Sequence, residues 1–225
     1  MASVTQRIKM IKQPRGGYIN PRRLEERQLK VEEELSSKEN IHPSLVGLAV
    51  DYLTRYQSGN SKNEAFKISL IGANILGESA YAEKLLENVN GLDDQSIDSA
   101  CKLVGYDVVY RNRRIAYKPV KEIIPDKETI SNIRIMVNRS MLFFEEYGPV
   151  TLDGFTLDGA YTDLISIGDG DFLTKDTLWD FKVSVNPPKK EGTLQLLVYY
   201  LMGLESKNEN YFRDINYLGI YNPRL

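Results

Sequence analysis

The hydrophobic period of the chain first changes at Gly148-Pro149, and that change limits what it can fold into. Before it, "HPSLVGLAVDYLTRYQSG" (42–59) repeats Leu45, Leu48, Ala49, Tyr52, Leu53 and Tyr56 at intervals of three and four. That spacing predicts an amphipathic helix, with Ser44 as its N-cap and Ser58-Gly59 as its stop. "NEAFKISLIGANIL", "ESAYAEKLLENV" and "DDQSIDSACKLVGYD" predict three more helices between 60 and 104, broken at "NVNGLDD". "KETISNIRIMVNRSMLFFEEYG" (127–148) predicts another. After Val150 the chain is rich in Thr, Val, Ile, Phe and Tyr, punctuated by Asp-Gly and Lys-Asp, which are strand and turn signals. "EGTLQLLVYYLMGLES" (191–206) returns to helix and "DINYLGIYNP" (214–223) to strand. Helix, helical insert, three strands, helix and strand make an α+β fold (mixed α/β). Residues 1–43 read as an N-terminal arm: 1–20 hold Lys, Arg, Gly and Pro with few apolar residues, and 21–40 suggest a short exposed helix. For "DVVYRNRRIAYKPV" (107–120), strand, hairpin and loop all stay open.

The 225 residues suit a single domain of 1–225. With 42% hydrophobic and 27% charged residues a packed core is expected. The net charge of −2 argues against a coat-like nucleic-acid binder but not against a local basic groove. Cys101 is the one cysteine, so no disulfide can close within the chain, which suits a reducing compartment. His42 is the one histidine, which leaves histidine-based triads and zinc sites a single candidate. His42, before Pro43, reads as a helix-entry residue and Cys101 as a core thiol. No segment has signal-peptide character or the length to span a bilayer, so a cytoplasmic protein with no membrane contact is expected.

Within the strand region, "LWDFKVS" (178–184) sets Asp180 and Lys182 two positions apart, hence on one side of the sheet. Trp179, Phe181 and Val183 would fill the other. Asp163 is read as lying in a strand that pairs with 178–184 about a turn near 171–172. Cross-strand neighbours lie ~5 Å apart between Cβ atoms, and two carboxylates that close repel unless a divalent cation sits between them. Asp163, Asp180 and the main-chain carbonyl of Phe181 would serve magnesium in that way. Lys182 could then position the attacking water or offset phosphate charge. Gln195 and Tyr199, four apart on an otherwise apolar helix, share one face that could meet substrate. Taken alone, Asp180 and Lys182 could equally be a surface ion pair worth ~0–1 kcal/mol.

"GAYTDLI", "WDFK" and "QLLVY" resemble the G-x-x-D, D-x-K and Q-x-x-x-Y motifs of the PD-(D/E)XK nuclease superfamily, nearest to its RecB-like and CRISPR-associated exonuclease branch. Gly159 stands one residue too far from Asp163 for that spacing, so Ala160 would take the glycine's place. The resemblance implies a restriction-endonuclease-like αβββαβ core over 150–223, a helical insertion over 60–148, and hydrolysis of DNA by a metal-activated water. It implies Asp163 and Asp180 as metal ligands with Phe181, Lys182 as catalytic lysine, and Gln195 and Tyr199 as substrate-binding residues. Mg2+ or Mn2+ is the expected cofactor; without a four-cysteine cluster, an iron–sulfur centre is not. In "VGLAVDYL", Asp51 matches the position of a histidine ligand in RecB-like members, which makes 44–57 the preferred core helix. Helix 130–148, with Glu145 and Glu146, is the competing choice. "YRNRR" (110–114) could track a DNA backbone, with Tyr110 stacking on a base. A nuclease-like fold without activity, binding nucleic acid or protein in a defence, anti-defence or recombination complex, is the alternative. DNA is the expected partner, and a protein partner or self-association stays open.

Overall fold

The computed structural model describes residues 2–112 and 117–225, side chains from 111 to 116 excepted. Helices dominate and the strands are short, so the fold is mixed α+β. It divides into two compact units: residues 30–142 with Arg224, and residues 1–29 with 143–223 and Leu225.

The first unit is helical. It holds α2 (Pro43–Gln57), α3 (Lys62–Ala65), α4 (Lys67–Leu76), α5 (Ser79–Asn88), α6 (Asp94–Val104), α7 (Asp107–Asn112) and most of α8 (Lys127–Tyr147). The N-cap of α2 is His42 rather than Ser44: its Nδ1 accepts from the Ser44 amide at 3.2 Å, and Pro43 opens the helix. Cys101 is fully buried, as a core thiol should be. The stretch at 107 is helical because Asp107, 1% exposed, is held from two sides. It accepts from Tyr52 Oη at 2.5 Å and from Ser69 Oγ at 2.6 Å. The basic run 110–114 lies largely outside the described side chains; Tyr110 is half exposed at the end of α7. The expected helix over 21–40 is limited to a single 3₁₀ turn at Pro21–Arg23. Beyond it the chain is extended, because Asn132 of α8 exchanges two 2.8 Å bonds with the Ser36 backbone.

The second unit carries the sheet. Its strands run β2 (Leu152–Asp153), β4 (Phe172–Leu173), β5 (Thr177–Phe181) and β6 (Tyr217–Tyr221), in that spatial order. The first two pairings are antiparallel, and β5 pairs with β6 in parallel. The crossover between β5 and β6 is α9 (Lys190–Leu204), as parallel neighbours require. A separate parallel pair joins β1 (Ala2–Ser3) to β3 (Ile165–Ile167).

Alternation along β5 sorts the core into two faces. Leu178 points to one side, with Leu173, Leu194 and Leu196. There the first residues are not a loose arm: Ser3 and Gln6 form a capping box that starts α1 (Val4–Met10), and Val4 and Ile8 are buried in the same cluster. Trp179 and Phe181 point to the other side, where Phe143 stacks on Tyr221 at 3.9 Å and meets Trp179 edge-on at 4.8 Å. The helix that covers this face of the sheet is therefore the end of α8, with Phe143, Phe144 and Tyr147. The expected core helix 44–57 belongs to the helical unit instead. Both are amphipathic, and only the aromatic triplet distinguishes the helix that packs on tryptophan. No helix among the described residues is long and apolar enough to cross a membrane.

Candidate functional site

Asp180 ends the apolar run of β5 and turns its carboxylate to the α9 side of the sheet. It is 2% exposed. Oδ1 accepts from Lys182 Nζ at 2.8 Å, an ion pair in which the lysine is 41% exposed. Oδ2 is buried and has no hydrogen-bond partner among the described residues. Burial pushes the Asp180 carboxyl above the usual carboxylate range, and the Lys182 charge pulls the other way.

The residue across the ladder is Asp171, not Asp163. Phe172 faces Trp179 and Leu173 faces Leu178, so the same register sets Asp171 opposite Asp180. Its Oδ2 accepts from the Phe181 amide at 2.6 Å. Asp163 does not lie in a strand. It is exposed in the bend before β3, where Thr162 Oγ1 accepts from the amides of Leu164 and Ile165, both at 3.2 Å. The hairpin closes at Lys175-Asp176, with the Thr174 amide donating to the Thr177 carbonyl at 3.0 Å. The expected turn near 171–172 is instead the start of β4. Gly168 and Gly170 mark close packing: a Cβ on Gly170 would lie 2.1 Å from the Phe155 ring, and one on Gly168 2.8 Å from Val4. One signal for Asp171 was present: Gly168 to Asp171 has the G-x-x-D spacing that Gly159 to Asp163 lacks.

Gln195 and Tyr199 reach the same place from α9. Gln195 Nε2 donates to Tyr199 Oη at 3.0 Å. Burial raises the Tyr199 hydroxyl; the Gln195 bond lowers it, and the charges of Asp169, Asp171 and Asp180 raise it further. The phenol therefore stays protonated beside these carboxylates. Asp51 lies in the helical unit, where it accepts from Arg55 Nε at 2.9 Å in an i,i+4 ion pair. Glu145 and Glu146 are exposed on α8.

Asp180, Lys182 and Gln195 line a cleft of about 480 Å³. One wall is α1, through Thr5, Ile8 and Lys9; the other is the loop from Ser184 to Lys189 and the first turn of α9. Asn222, just after β6, holds that loop: its Nδ2 donates to the Ser184 carbonyl at 2.7 Å. Neither Asn222 nor the α1 wall was foreseen, although Val4 and Ile8 stand at helical spacing in a segment that looked merely polar.

Among the described residues no three histidine, cysteine, aspartate or glutamate side chains converge on a metal position. The site offers two carboxylates and a main-chain carbonyl at the end of β5. That oxygen-only set suits a hard cation such as magnesium, which keeps several waters and takes one or two carboxylates from the protein. No family model, curated protein or solved structure matches the chain.

Proposed function

We propose that the protein is a nuclease that hydrolyses DNA phosphodiester bonds with the help of Mg2+ or Mn2+. The observation that carries this reading is the free oxygen of Asp180: a buried carboxylate oxygen with no hydrogen bond among the described residues, on a residue in register across the ladder with Asp171. An unsatisfied buried acceptor costs about 1–3 kcal/mol, and more when charged. A cation between Asp171 and Asp180 removes that cost.

The order of elements supports the same reading. The end of α8, then β2, β4 and β5, then α9 and β6, with two antiparallel pairings and one parallel, follows the helix–three strands–helix–strand core that the sequence resemblance implies. In that frame Asp171, Asp180 and the Phe181 carbonyl would hold the ion, and Asp163 and Asp51 would not.

When bound, the ion would polarise the scissile phosphate and lower the pKa of a water. The other parts belong to the chain. Lys182 keeps its ammonium beside Asp180, where it can orient the nucleophilic water or meet charge developing on phosphate oxygens. Gln195 presents its amide to the cleft and is held in place by the Tyr199 hydroxyl.

The test is incubation of the wild type, Asp171→Asn and Asp180→Asn with labelled single- and double-stranded DNA in Mg2+, Mn2+ or EDTA. Cleavage by the wild type with metal, lost in both variants, is expected. Intact DNA under every condition, with no heat of magnesium binding by calorimetry, would refute the proposal.

A further inference from the structure

Residues 1–23 contain six cations, Arg7, Lys9, Lys12, Arg15, Arg22 and Arg23, and no aspartate or glutamate, in a chain of net charge −2. Lys9, Lys12, Arg15, Arg22 and Arg23 are exposed. None of the six is engaged in an ion pair among the described residues. One of them, Lys9, lines the cleft that also holds Asp180 and Glu191, yet it pairs with neither.

Their position is fixed by the fold. Val4 and Ile8 bury one side of α1 against the sheet unit, which turns Thr5 and Lys9 into a wall of the cleft above Asp180. The following loop is pressed onto the start of α9. Gly16 and Gly17 have φ of 89° and 84°, and a Cβ on Gly17 would lie 2.7 Å from the Lys190 Cβ. Thr193 Oγ1 donates to the Ile19 carbonyl at 2.7 Å. The loop therefore rests on the start of α9, beside Lys190, whose neighbour Lys189 lines the cleft, and it carries an exposed Arg15 and a 60% exposed Tyr18.

We infer that α1 and the Gly16-Gly17 loop form the track that guides a single DNA strand into the cleft, with Lys9, Lys12 and Arg15 on its phosphates and Tyr18 stacked on an unpaired base. The nature of the ligand rests on the nuclease reading; the track rests on the charge and geometry. A single strand fits better than a duplex for two reasons. A cleft of about 480 Å³ is the size that encloses one small-molecule-sized unit, and the carboxylate at its floor is 2% exposed. An exposed tyrosine between cations is also the usual platform for unpaired bases. Lys9, Lys12, Arg15 and Tyr18 are positioning residues, since they lie along the path and not at the reacting phosphate.

The test is fluorescence anisotropy with a labelled single strand of about 20 nucleotides, long enough to cover a typical single-strand site, and with its duplex, in EDTA so that binding is read without cleavage. The full chain is used as wild type, as the triple variant Lys9→Gln/Lys12→Gln/Arg15→Gln, as Lys9→Arg/Lys12→Arg, and as Tyr18→Ala. The wild type should prefer the single strand. The triple variant should bind about tenfold or more weakly, and its slope of log affinity against log salt should be shallower by about 2, at about 0.7 for each phosphate no longer neutralised. The arginine variant should bind like the wild type. Tyr18→Ala should weaken the single strand about five- to a hundredfold and leave the duplex unchanged. All these side chains are exposed, so thermal unfolding should confirm an unchanged fold. Absent binding by the wild type, an unchanged salt slope in the folded triple variant, or equal losses on both substrates for Tyr18→Ala would overturn the inference. A wild type that binds through these residues but never cuts the strand in Mg2+ would remove the nuclease reading and leave the track standing.

Discussion

Asp180→Asn should make the protein more stable without magnesium and less stable than the wild type with it. In the wild type the charged residue is only 2% exposed, and one of its oxygens is unsatisfied. A neutral amide of the same shape leaves a polar atom there but removes its charge, which relieves the charged part of the burial cost, on the order of 1–3 kcal/mol. The ion pair removed with it is worth ~0–1 kcal/mol, because Lys182 is 41% exposed and can turn to solvent. The net gain is about 1–2 kcal/mol, or roughly 2–8 °C in Tm for a chain of this size. Magnesium at about a hundred times its Kd should add ~2.7 kcal/mol to the wild type alone, which inverts the order. The pH dependence has a definite sign. The folded pKa of Asp180 is raised above its unfolded value, so the native state gains from the protonated form below the ordinary value of 3.8. That gain is lost as pH rises through the raised folded pKa. The advantage of Asp180→Asn should therefore be smallest below the ordinary value of 3.8, grow as pH rises through the raised folded pKa, and level off above it. Differential scanning fluorimetry in acidic, near-neutral and mildly alkaline buffers, with and without Mg2+, reads all of this. A variant less stable than the wild type at every pH, together with a wild type that magnesium does not shift, would refute the reasoning.

Three further outcomes follow from the geometry. In a DNA cleavage assay Asp171→Ala should lose about 100-fold or more in rate, whereas Asp163→Ala, altered in an exposed bend, should cleave like the wild type. Phe143→Ala removes the ring that stacks on Tyr221 and meets Trp179, and urea denaturation should show a loss of about 3–5 kcal/mol. Gly17→Ala forces a Cβ onto a positive φ and to within 2.7 Å of Lys190; a loss of roughly 1–2 kcal/mol or more is expected by the same measurement.

Most helices were legible because each carries a run of apolar residues at spacing three and four, and α4, α5, α6, α8 and α9 stand close to where that spacing put them; the start of α2 and the stretch over 21–40 were not. Lys182 beside Asp180, and Gln195 four residues before Tyr199, were equally readable, since strand and helix periods alone bring such pairs together. The partner of Asp180 was not. "GDGDFLTKD" holds two turn signals, and glycine at 168 and 170 serves packing against Val4 and Phe155 rather than turning. Composition cannot separate a glycine that bends the chain from one that lets a ring approach. The helix that covers the sheet was hidden for a similar reason: amphipathicity shows that a face is buried, not what buries it. Residues 1–10 looked like an arm because only Val4 and Ile8 face inward. A seven-residue helix needs no more than that when another helix lies ready to receive it.

The late position of β6 has a consequence for the order in which the molecule matures on the ribosome. Lys182 draws its main-chain partner, the Tyr221 carbonyl at 2.9 Å, from that strand. The whole parallel edge of β5 likewise waits for residues 217–221. The α1 wall can pair through β1 with β3, but it lacks its helical support until α9 has been made. That is roughly 180 residues later, and at about 5–20 residues per second the interval is on the order of ten to forty seconds. The helical unit can complete its own core within it. Throughout synthesis the nascent chain thus carries its cations without a finished cleft beneath them, and Asp180 is sealed from water only as the last strand arrives.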